Sequence, residues 1–199
     1  MTRTLFIAIF LMLIYSCLES QNTDRKNIIG GPCEGCEAIY EYGDRHLKSV
    51  DTLPQFMNLS NPIEISGVVY QFDGETPVKD IILYVYHTND KGKYPSLSSS
   101  QGWEKRHGYL RGWLKTDENG YYKFYTSRPA SYPNSTAPQH IHITIKEPDK
   151  NEYYIEDFYF KDDPHFTENI LTRKNPRGGS GVLSTVKQGQ LQIASRDIV

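Results

Sequence analysis

Short β-strand patterns separated by turn signals run through the chain after residue 62 and limit its fold more than any other feature. The segment "IEISGVVYQF" (63–72) alternates apolar and polar residues, and "DIILYVYHT" (80–88) and "YYKFYTS" (121–127) are rich in β-branched and aromatic residues. Pro and Gly interrupt these runs at short intervals. With 15 Tyr and 8 Phe in 199 residues, the composition favours half-buried pleated surfaces. The pattern predicts an all-β domain of the β-sandwich type.

The remaining strand predictions follow from the same signals. They are "YLRGWLKT" (109–116), "DENG" (117–120) as a hairpin-type turn leading to 121–127, "QHIHITIK" (139–146), "YYIEDFYF" (153–160), and a last hairpin in "VLSTVKQGQLQIAS" (182–195). The polar segment 89–108 is too long for a simple connector, and a loop of that length is typical of a functional site.

The N-terminus has the features of a secretory signal. Arg3 precedes an apolar run from Leu5 to Tyr15, which is shorter than the roughly 20 residues that a membrane-spanning helix needs. We therefore predict a signal peptide over residues 1–16. Ser16-Cys17 resembles a bacterial lipoprotein cleavage site, although Tyr15 departs from the small residue usual there. Plain secretion and a retained anchor remain alternatives.

This signal determines the predicted organisation and location. A lipid on Cys17 would tether the chain in the cell envelope, with the membrane contacted only through that anchor. Residues 17–60 are polar and lack a sustained period, and we interpret them as a tether and an N-terminal extension. Residues 61–199 form the predicted sandwich domain. The net charge is only −2 with mixed signs along the chain, so nothing indicates binding to nucleic acid.

Outside the cytosol, the pair Cys33 and Cys36 in "GGPCEGCEA" favours a local disulfide. The chain has no second Cys pair that would complete a four-cysteine zinc site. Thiol redox chemistry is the alternative for a C-x-x-C pair.

The segment "APQHIHITI" (137–145) carries two histidines one residue apart. In a strand, His140 and His142 project to the same face about 6.6 Å apart, and Ile141 and Ile143 face the opposite way into a core. Two neutral imidazoles on one face can chelate one metal ion. A pair of surface histidines is the alternative.

Five blocks in order, "GKYP", "LKTDENGYYKF", "RPASYP", "APQHIHITI" and "YIEDFYFKDDP", resemble the intradiol ring-cleavage dioxygenases, the protocatechuate and catechol dioxygenase family. The resemblance covers residues 66–164. It implies a prealbumin-like or immunoglobulin-like β-sandwich that holds one Fe(3+) ion between two tyrosinates and an H-x-H pair. The implied substrates are a catechol-like aromatic and O2. Family members often self-associate, so the resemblance leaves a homo-oligomer open.

Carried onto this chain, the resemblance implies four metal ligands: Tyr94 in Gly-Lys-Tyr, Tyr132, His140 and His142. In the family the catechol binds iron through both oxygens and displaces the second tyrosinate, here Tyr132. The released phenolate then accepts a proton, which makes Tyr132 a catalytic candidate as well as a ligand.

Two positions depart from the family pattern. Ala137 stands where the family has an Arg that stabilises developing negative charge on the substrate, and Asp157 stands where it has a Gln. Loss of a positioned cation would weaken transition-state stabilisation. We therefore expect Arg128 to supply the charge and Gln139 a hydrogen bond, as the remaining catalytic candidates.

Other candidates are weighed against simpler roles. Arg106 and Arg111 are alternative cations; we expect a structural role for Arg111, and a solvated loop face for Arg106 and His107. Tyr109 competes with Tyr94 as the first tyrosine ligand. We expect His87 and His165 to be polar edge residues. Five strand tyrosines are assigned to packing: Tyr121, Tyr122, Tyr153, Tyr154 and Tyr159.

Two other functions fit part of the sequence. A prealbumin-like binding module of the cell envelope explains the strands and the "TDENGYY" turn but leaves the histidine pair without a reason. A cupin-like metalloenzyme would need a further ligand, for which Glu147 is the nearby candidate. The identity of the catechol is not encoded in any motif of the sequence.

Overall fold

The computed structural model describes residue 29 and residues 32–58, 60–172 and 176–199. The predicted signal peptide (1–16) and Cys17 lie outside these residues. Within the described segments, no helix has the length and apolarity that crossing a lipid bilayer requires.

Two β-sheets pack face to face, which confirms the predicted all-β sandwich. The first sheet contains, in spatial order, β1 (Val50–Thr52), β5 (Tyr121–Ser127), β2 (Pro62–Val68), β11 (Leu191–Ser195) and β10 (Thr185–Gln188). The second contains β4 (Arg111–Lys115), β3 (Ile82–His87), β6 (His140–Lys146), β8 (Phe158–Phe160) and β9 (Val182–Leu183), with β7 (Tyr153–Tyr154) also paired to β6. The described helices are short: α1 (Glu104–His107) and the 3-10 helices Cys36–Tyr40, Phe56–Asn58 and Glu168–Thr172.

The core lies between the sheets and follows the strand alternation. Ile63 and Ile65 of β2 face Ile141 and Ile143 of β6 within one buried cluster, and burying such a side chain contributes roughly 1.5–3 kcal/mol. The inward orientation predicted for Ile141 and Ile143 is thus confirmed. Because successive strand residues point to opposite faces, His140 and His142, which alternate with these isoleucines, are turned to the outer face of the second sheet.

The "DENG" segment does not form a hairpin. Gly120 donates its N–H to the Asp117 carbonyl at 2.9 Å, so the predicted turn is present. It joins β4 to β5, however, and these strands belong to different sheets. The prediction of a hairpin was wrong because a turn sequence specifies a chain reversal but does not specify the partner of the strand that follows.

The predicted strand 153–160 is interrupted. Thr144 of β6 pairs with Tyr154, and His140 pairs with Tyr159. Four residue steps on β6 thus correspond to five on the other strand, so one extra residue is inserted between β7 and β8. Such an insertion bends the strand and changes the direction of side chains. Asp157 lies in this break.

His87 is not an edge residue. It lies in β3, which pairs with both β4 and β6, and its side chain is fully buried. Its Nδ1–H donates to the Thr88 carbonyl at 2.7 Å, which leaves Nε2 to accept from the Thr126 hydroxyl at 2.6 Å. Burial lowers the pKa of His87 to about 4. The edge prediction failed because sheet order decides which strands are central.

Part of the predicted N-terminal extension packs into the sandwich. Strand β1 pairs in parallel with β5, and Leu53 contributes to the core cluster. Ala38 packs against Trp113, whose Nε1–H donates to the Ala38 carbonyl at 3.1 Å. A disulfide joins Cys33 to Cys36.

This packing predicts that Leu53→Ala lowers the free energy of unfolding by about 2–3 kcal/mol, because Leu53 is 1% exposed and its truncation leaves a cavity. Met57, four residues later, is 90% exposed, so Met57→Ala is the matched control and is expected to change stability by less than about 0.5 kcal/mol. Urea denaturation of both variants measures the difference. Equal stabilities would show that the segment does not share the core.

Candidate metal centre

Tyr94, Tyr132, His140 and His142 come together on the outer face of the second sheet. The histidines are the first and third residues of β6. Tyr94 lies in the long loop that follows β3, and Tyr132 lies in the Pro-rich loop that precedes β6. Loops from two sides therefore bring phenols to a pair of imidazoles fixed on a strand.

Four of the six pairs formed by these donor atoms lie within hydrogen-bonding distance. Tyr94 Oη is 2.5 Å from Tyr132 Oη and 2.8 Å from His142 Nε2. Tyr132 Oη is 3.2 Å from His140 Nε2 and 3.3 Å from His142 Nε2. Ligand atoms about 2.0–2.1 Å from one ion and about 90–110° apart are separated by roughly 2.9–3.4 Å. The two distances from Tyr132 Oη to the imidazoles fall within this range, and the two distances from Tyr94 Oη are slightly shorter, so the donors are close enough together to bind one ion.

The hydrogen bond made by Nδ1 of each imidazole determines that Nε2 faces the tyrosines. His140 Nδ1–H donates to the Pro138 carbonyl at 2.7 Å, and His142 Nδ1–H donates to Asp157 Oδ1 at 3.0 Å. Both partners are acceptors, so each Nδ1 carries the proton and each Nε2 offers a lone pair toward the tyrosines. This is how protein metal sites fix the tautomer and orientation of a histidine ligand.

The protonation of the cluster also fits a cation. Burial raises the pKa values of the Tyr94 and Tyr132 hydroxyls, with the Asp157 charge adding to both effects, and burial lowers the pKa of His140. The phenols are therefore protonated and His140 is neutral at pH 7 when no cation is bound. A bound cation reverses this balance by favouring phenolate. Two anionic oxygens and two neutral nitrogens suit a hard trivalent metal ion.

Gly92 explains how the two tyrosine loops approach each other. Its φ is +67°, and a Cβ at this position would lie 1.9 Å from the Ser131 carbonyl oxygen. Ser131 directly precedes Tyr132, and Gly92 is two residues before Tyr94. The loops are further joined by Ala130, whose N–H donates to the Asn89 carbonyl at 3.1 Å. Only a residue without a side chain allows this approach.

A column of stacked rings supports His142 from the side. Tyr86, its cross-strand partner, stacks on His142 with centroids 4.6 Å apart, and His107 stacks on Tyr86 at 3.9 Å. Trp103 covers His107 at 5.1 Å. These residues were not identified as part of the site from the sequence. The one available signal was that Tyr86 lies on the outer face of its strand.

The prediction that His107 belongs to a solvated loop face is wrong. This residue ends helix α1 with its side chain turned inward, and its Nδ1 is hydrogen-bonded to the Tyr84 hydroxyl at 2.9 Å. Its neighbour Arg106 is exposed, as expected, and forms an ion pair with Glu34. Because α1 is helical, the neighbouring side chains of Arg106 and His107 point in different directions, one to solvent and one inward.

Tyr109, the competitor for the role of Tyr94, lies elsewhere. Its hydroxyl donates to Gln55 at 3.3 Å on the surface. Arg111 has the expected structural role, since its guanidinium binds Glu41 at 2.5 Å and Glu104 at 3.3 Å.

The structure does not bring Arg128 or Gln139 to the cluster. Gln139 neighbours His140 along the chain and accepts a hydrogen bond from Arg128 Nε at 2.6 Å. The Arg128 guanidinium also binds both carboxylate oxygens of Asp162, at 2.7 and 2.9 Å. Together with Gln192 these residues line a separate pocket. Neither residue therefore contacts the four donor atoms, and their contacts do not support the catalytic roles expected for them.

Asp157 has a role that the sequence did not reveal. One possible ligand atom from each of Asp157, His140 and His142 lies within 4.8 Å of the other two. Among the described residues, this is the group of histidine and acidic side chains close enough together to hold an ion. The Asp157 oxygen binds Nδ1 of His142, however, and that nitrogen points away from the tyrosines. Orientation of His142 therefore explains Asp157 better than direct ligation.

Glu147 does not complete a cupin-type site. It follows the last residue of β6, about 16 Å from His142 along an extended strand. Its carboxylate accepts hydrogen bonds from Tyr153 at 2.7 Å and Lys150 at 2.6 Å.

Comparisons with known sequences agree with this geometry. A sequence model of the family described as Dioxygenase matches residues 40–188. The protocatechuate 3,4-dioxygenase beta chain of Burkholderia cepacia is 28% identical over 124 residues, which are 59% of this chain and 52% of the relative. The chain thus spans about half the length of that relative.

Solved structures share the fold. The dioxygenase domain of a dioxygenase carbohydrate-binding protein fusion from Streptomyces sp. SirexAA-E is similar with a TM-score of 0.59, 19% identity, and coverage of 87% of this chain and 95% of that one. An intradiol ring-cleavage dioxygenase from Tetranychus urticae is similar with a TM-score of 0.54 and 17% identity, and the match covers 78% of this chain and 87% of that one. Catechol 1,2 dioxygenase of Acinetobacter radioresistens is similar with a TM-score of 0.55 and 18% identity, and the match covers 86% of this chain and 60% of that one.

Proposed function

Because this chain belongs to the intradiol ring-cleavage dioxygenase family, we propose that it is a ferric-iron-dependent enzyme that cleaves a catechol-type ring with O2 between the two hydroxylated carbons. The observation that carries the proposal is the convergence of two phenols and two imidazole Nε2 atoms at separations of 2.5–3.3 Å. A binding module without a metal would have no need for this arrangement.

The residues that would hold the ion are Tyr94, Tyr132, His140 and His142. When bound, Fe(3+) would act as a Lewis acid that activates the catechol toward O2. The histidines are the rigid half of the site, because both lie on a strand paired on two sides and both have their Nδ1 atoms occupied.

Tyr132 is the residue we assign to proton transfer. It lies in an irregular, Pro-containing loop, "SYPNSTAP" (131–138). Its side chain can therefore move more easily than the histidine side chains on β6. Its Oη is farther from the imidazoles than Tyr94 Oη is from His142. We infer that, with iron bound, Tyr132 would be the ligand that gives way to the catechol and whose Oη would accept a catechol proton, while Tyr94 would keep its position.

We also propose that the protein acts outside the cytosol, held in the cell envelope by a lipid on Cys17. The apolar run from Leu5 to Tyr15, followed directly by Ser16-Cys17, supports this location. The Cys33–Cys36 disulfide is consistent with an oxidising compartment.

The test uses protein purified after growth with ample iron. We expect it to be wine-red from tyrosinate-to-iron charge transfer and to consume O2 with catechols. Tyr94→Phe is expected to remove at least about half of the visible absorption, since one of two phenolates is lost. Tyr109→Phe is the matched control and should leave the spectrum unchanged, because Tyr109 contacts Gln55 on the surface. Colourless protein, or equal spectra for Tyr94→Phe and wild type, would refute the proposed centre.

A further inference from the structure

The Asp157 carboxylate contacts one candidate metal ligand from the side opposite the donor cluster. Its Oδ1 accepts the Nδ1–H of His142 at 3.0 Å, and Nε2 of the same ring lies 2.8 Å from Tyr94 Oη. A single imidazole ring therefore separates the carboxylate from the four donor atoms. A carboxylate in this position makes a histidine ligand more basic, in addition to fixing its orientation.

The backbone on both sides of Asp157 is held in place. The Glu156 N–H donates to the Arg177 carbonyl at 3.0 Å, and the Tyr159 N–H donates to the Gly181 carbonyl at 2.8 Å. Gly181 has a φ of +73°, and a Cβ there would lie 2.1 Å from the Asp157 carbonyl oxygen. The carboxylate thus projects from a segment whose position is fixed by the neighbouring chain.

No nearby cation compensates the charge of this carboxylate. Among the described residues, the ion-pair partner of Asp157 is the His142 ring, and the Asp157 side chain is 24% exposed. Asp157 also lines a cavity of about 240 Å³ between β6 and residues 32–36, and its described lining contains no Lys or Arg. Arg106, on helix α1, is paired with Glu34. The negative charge of Asp157 is therefore available to act on the donor cluster.

The charge of the proposed ligand set gives this carboxylate a consequence. With Tyr94 and Tyr132 as phenolates and both histidines neutral, the ligand set around Fe(3+) has a net charge of +1. The same ligands around Fe(2+) have a net charge of zero. An uncompensated anion one ring away attracts the first of these and not the second, so it stabilises the ferric form selectively.

The tyrosine hydroxyls respond to the same charge. Burial raises the pKa values of Tyr94 and Tyr132, and the Asp157 charge adds to both effects. The carboxylate thus opposes ionisation of the phenols while the cluster holds no cation. Once a cation of higher charge replaces the two phenol protons, the sign of this interaction reverses.

We propose that Asp157 is a positioning residue whose charge, acting through His142, stabilises Fe(3+) relative to Fe(2+) in the same ligand set. The inference rests on the proposed function, because that proposal supplies the iron. Changes to the hydrogen-bond partner of a ligand cost about 10–100-fold in metal affinity. Because the Asp157 side chain is partly exposed and its charge is screened, we expect about tenfold in the ratio of the two affinities.

The experiment is an anaerobic redox titration of the iron-loaded protein, followed by the tyrosinate absorption that is lost on reduction. Asp157→Asn keeps an oxygen that accepts the His142 Nδ1–H but removes the charge. We expect its reduction potential to rise by at least about 59 mV, which is tenfold for one electron. Competition with a ferric chelator should show Fe(3+) bound about tenfold more weakly than in the wild type.

Three further variants separate charge from orientation. Asp157→Gln is a second neutral variant and should raise the potential in the same direction. Asp157→Glu keeps the charge, and its potential should stay within threefold of the wild type, or about 28 mV. Asp162→Asn is the matched control, because this carboxylate pairs with Arg128 in another pocket, and it should leave the potential unchanged.

The outcomes distinguish this inference from the proposed function. Wild-type protein that takes up no ferric iron refutes both. If the protein cleaves catechols while the Asn and Gln variants stay within about 28 mV of the wild type, the role of the charge is overturned and the proposed function stands. If both neutral variants show the rise but the red protein consumes no O2 with catechols, the role of Asp157 is supported and the proposed activity is refuted.

Discussion

Replacing His142 by alanine is expected to lower the affinity of the protein for ferric iron by at least about 100-fold and to abolish the visible charge-transfer band. The substitution removes a nitrogen ligand whose Nε2 lies 2.8 Å from Tyr94 Oη and 3.3 Å from Tyr132 Oη. It also removes the partner of Asp157 and one ring of the column formed with Tyr86. Changes to residues that only orient a ligand already cost about 10–100-fold in metal affinity, so loss of the ligand itself should cost more.

The measurement is the iron-to-protein ratio after dialysis against a competing chelator, recorded together with the visible spectrum. His165→Ala is the matched control, because His165 is exposed and its structural hydrogen bond is made by its backbone N–H to Asp163. It should retain iron and colour. If His142→Ala keeps stoichiometric iron and its absorption, β6 does not hold the ion.

Gly92→Ala is expected to disrupt the centre without touching any ligand. An alanine Cβ would lie 1.9 Å from the Ser131 carbonyl oxygen, so the two loops must separate. The positive φ of +67° adds strain, which alone costs about 1–2 kcal/mol in a residue with a Cβ. We expect the free energy of unfolding to fall by about 3 kcal/mol and most of the tyrosinate absorption to be lost, because Tyr94 and Tyr132 move apart.

Gly74→Ala separates the two causes. Gly74 has a similar φ of +71°, but a Cβ there would meet nothing within 4 Å. It should therefore show the loss of stability due to the backbone conformation, with an unchanged visible spectrum. Urea denaturation and absorption of the iron-loaded proteins are the measurements. A Gly92→Ala protein that is as stable and as red as Gly74→Ala would show that the approach of the loops is not required.

The histidine pair was predictable because its geometry is local. Alternation along one strand places His140 and His142 on one face and Ile141 and Ile143 on the other, and the burial of the isoleucines agrees. The choice of Tyr94 and Tyr132 among 15 tyrosines depended on the resemblance to a family, since nothing in a strand period selects a tyrosine in a loop.

The tertiary structure decided the surroundings of this pair. Asp157 reaches His142 because an extra residue between β7 and β8 redirects its side chain, and that insertion is visible only in the pairing with β6. Arg128 was a reasonable source of positive charge, yet its position opposite Asp162 gives it a different partner. The "DENG" turn was recognised, but the sheet that each flanking strand joined was not.

The chain by itself determined the β-sandwich class and the direction of the β6 side chains, and with it the pair His140 and His142, because strand periodicity and turn chemistry act between residues close in sequence. Only the folded chain decided that two loops meet at Gly92 and Ser131, that His107 turns inward, and that the Cys33–Cys36 loop covers a cavity beside His142. These features depend on contacts between residues distant in sequence, whose partners are set by the packing of both sheets together.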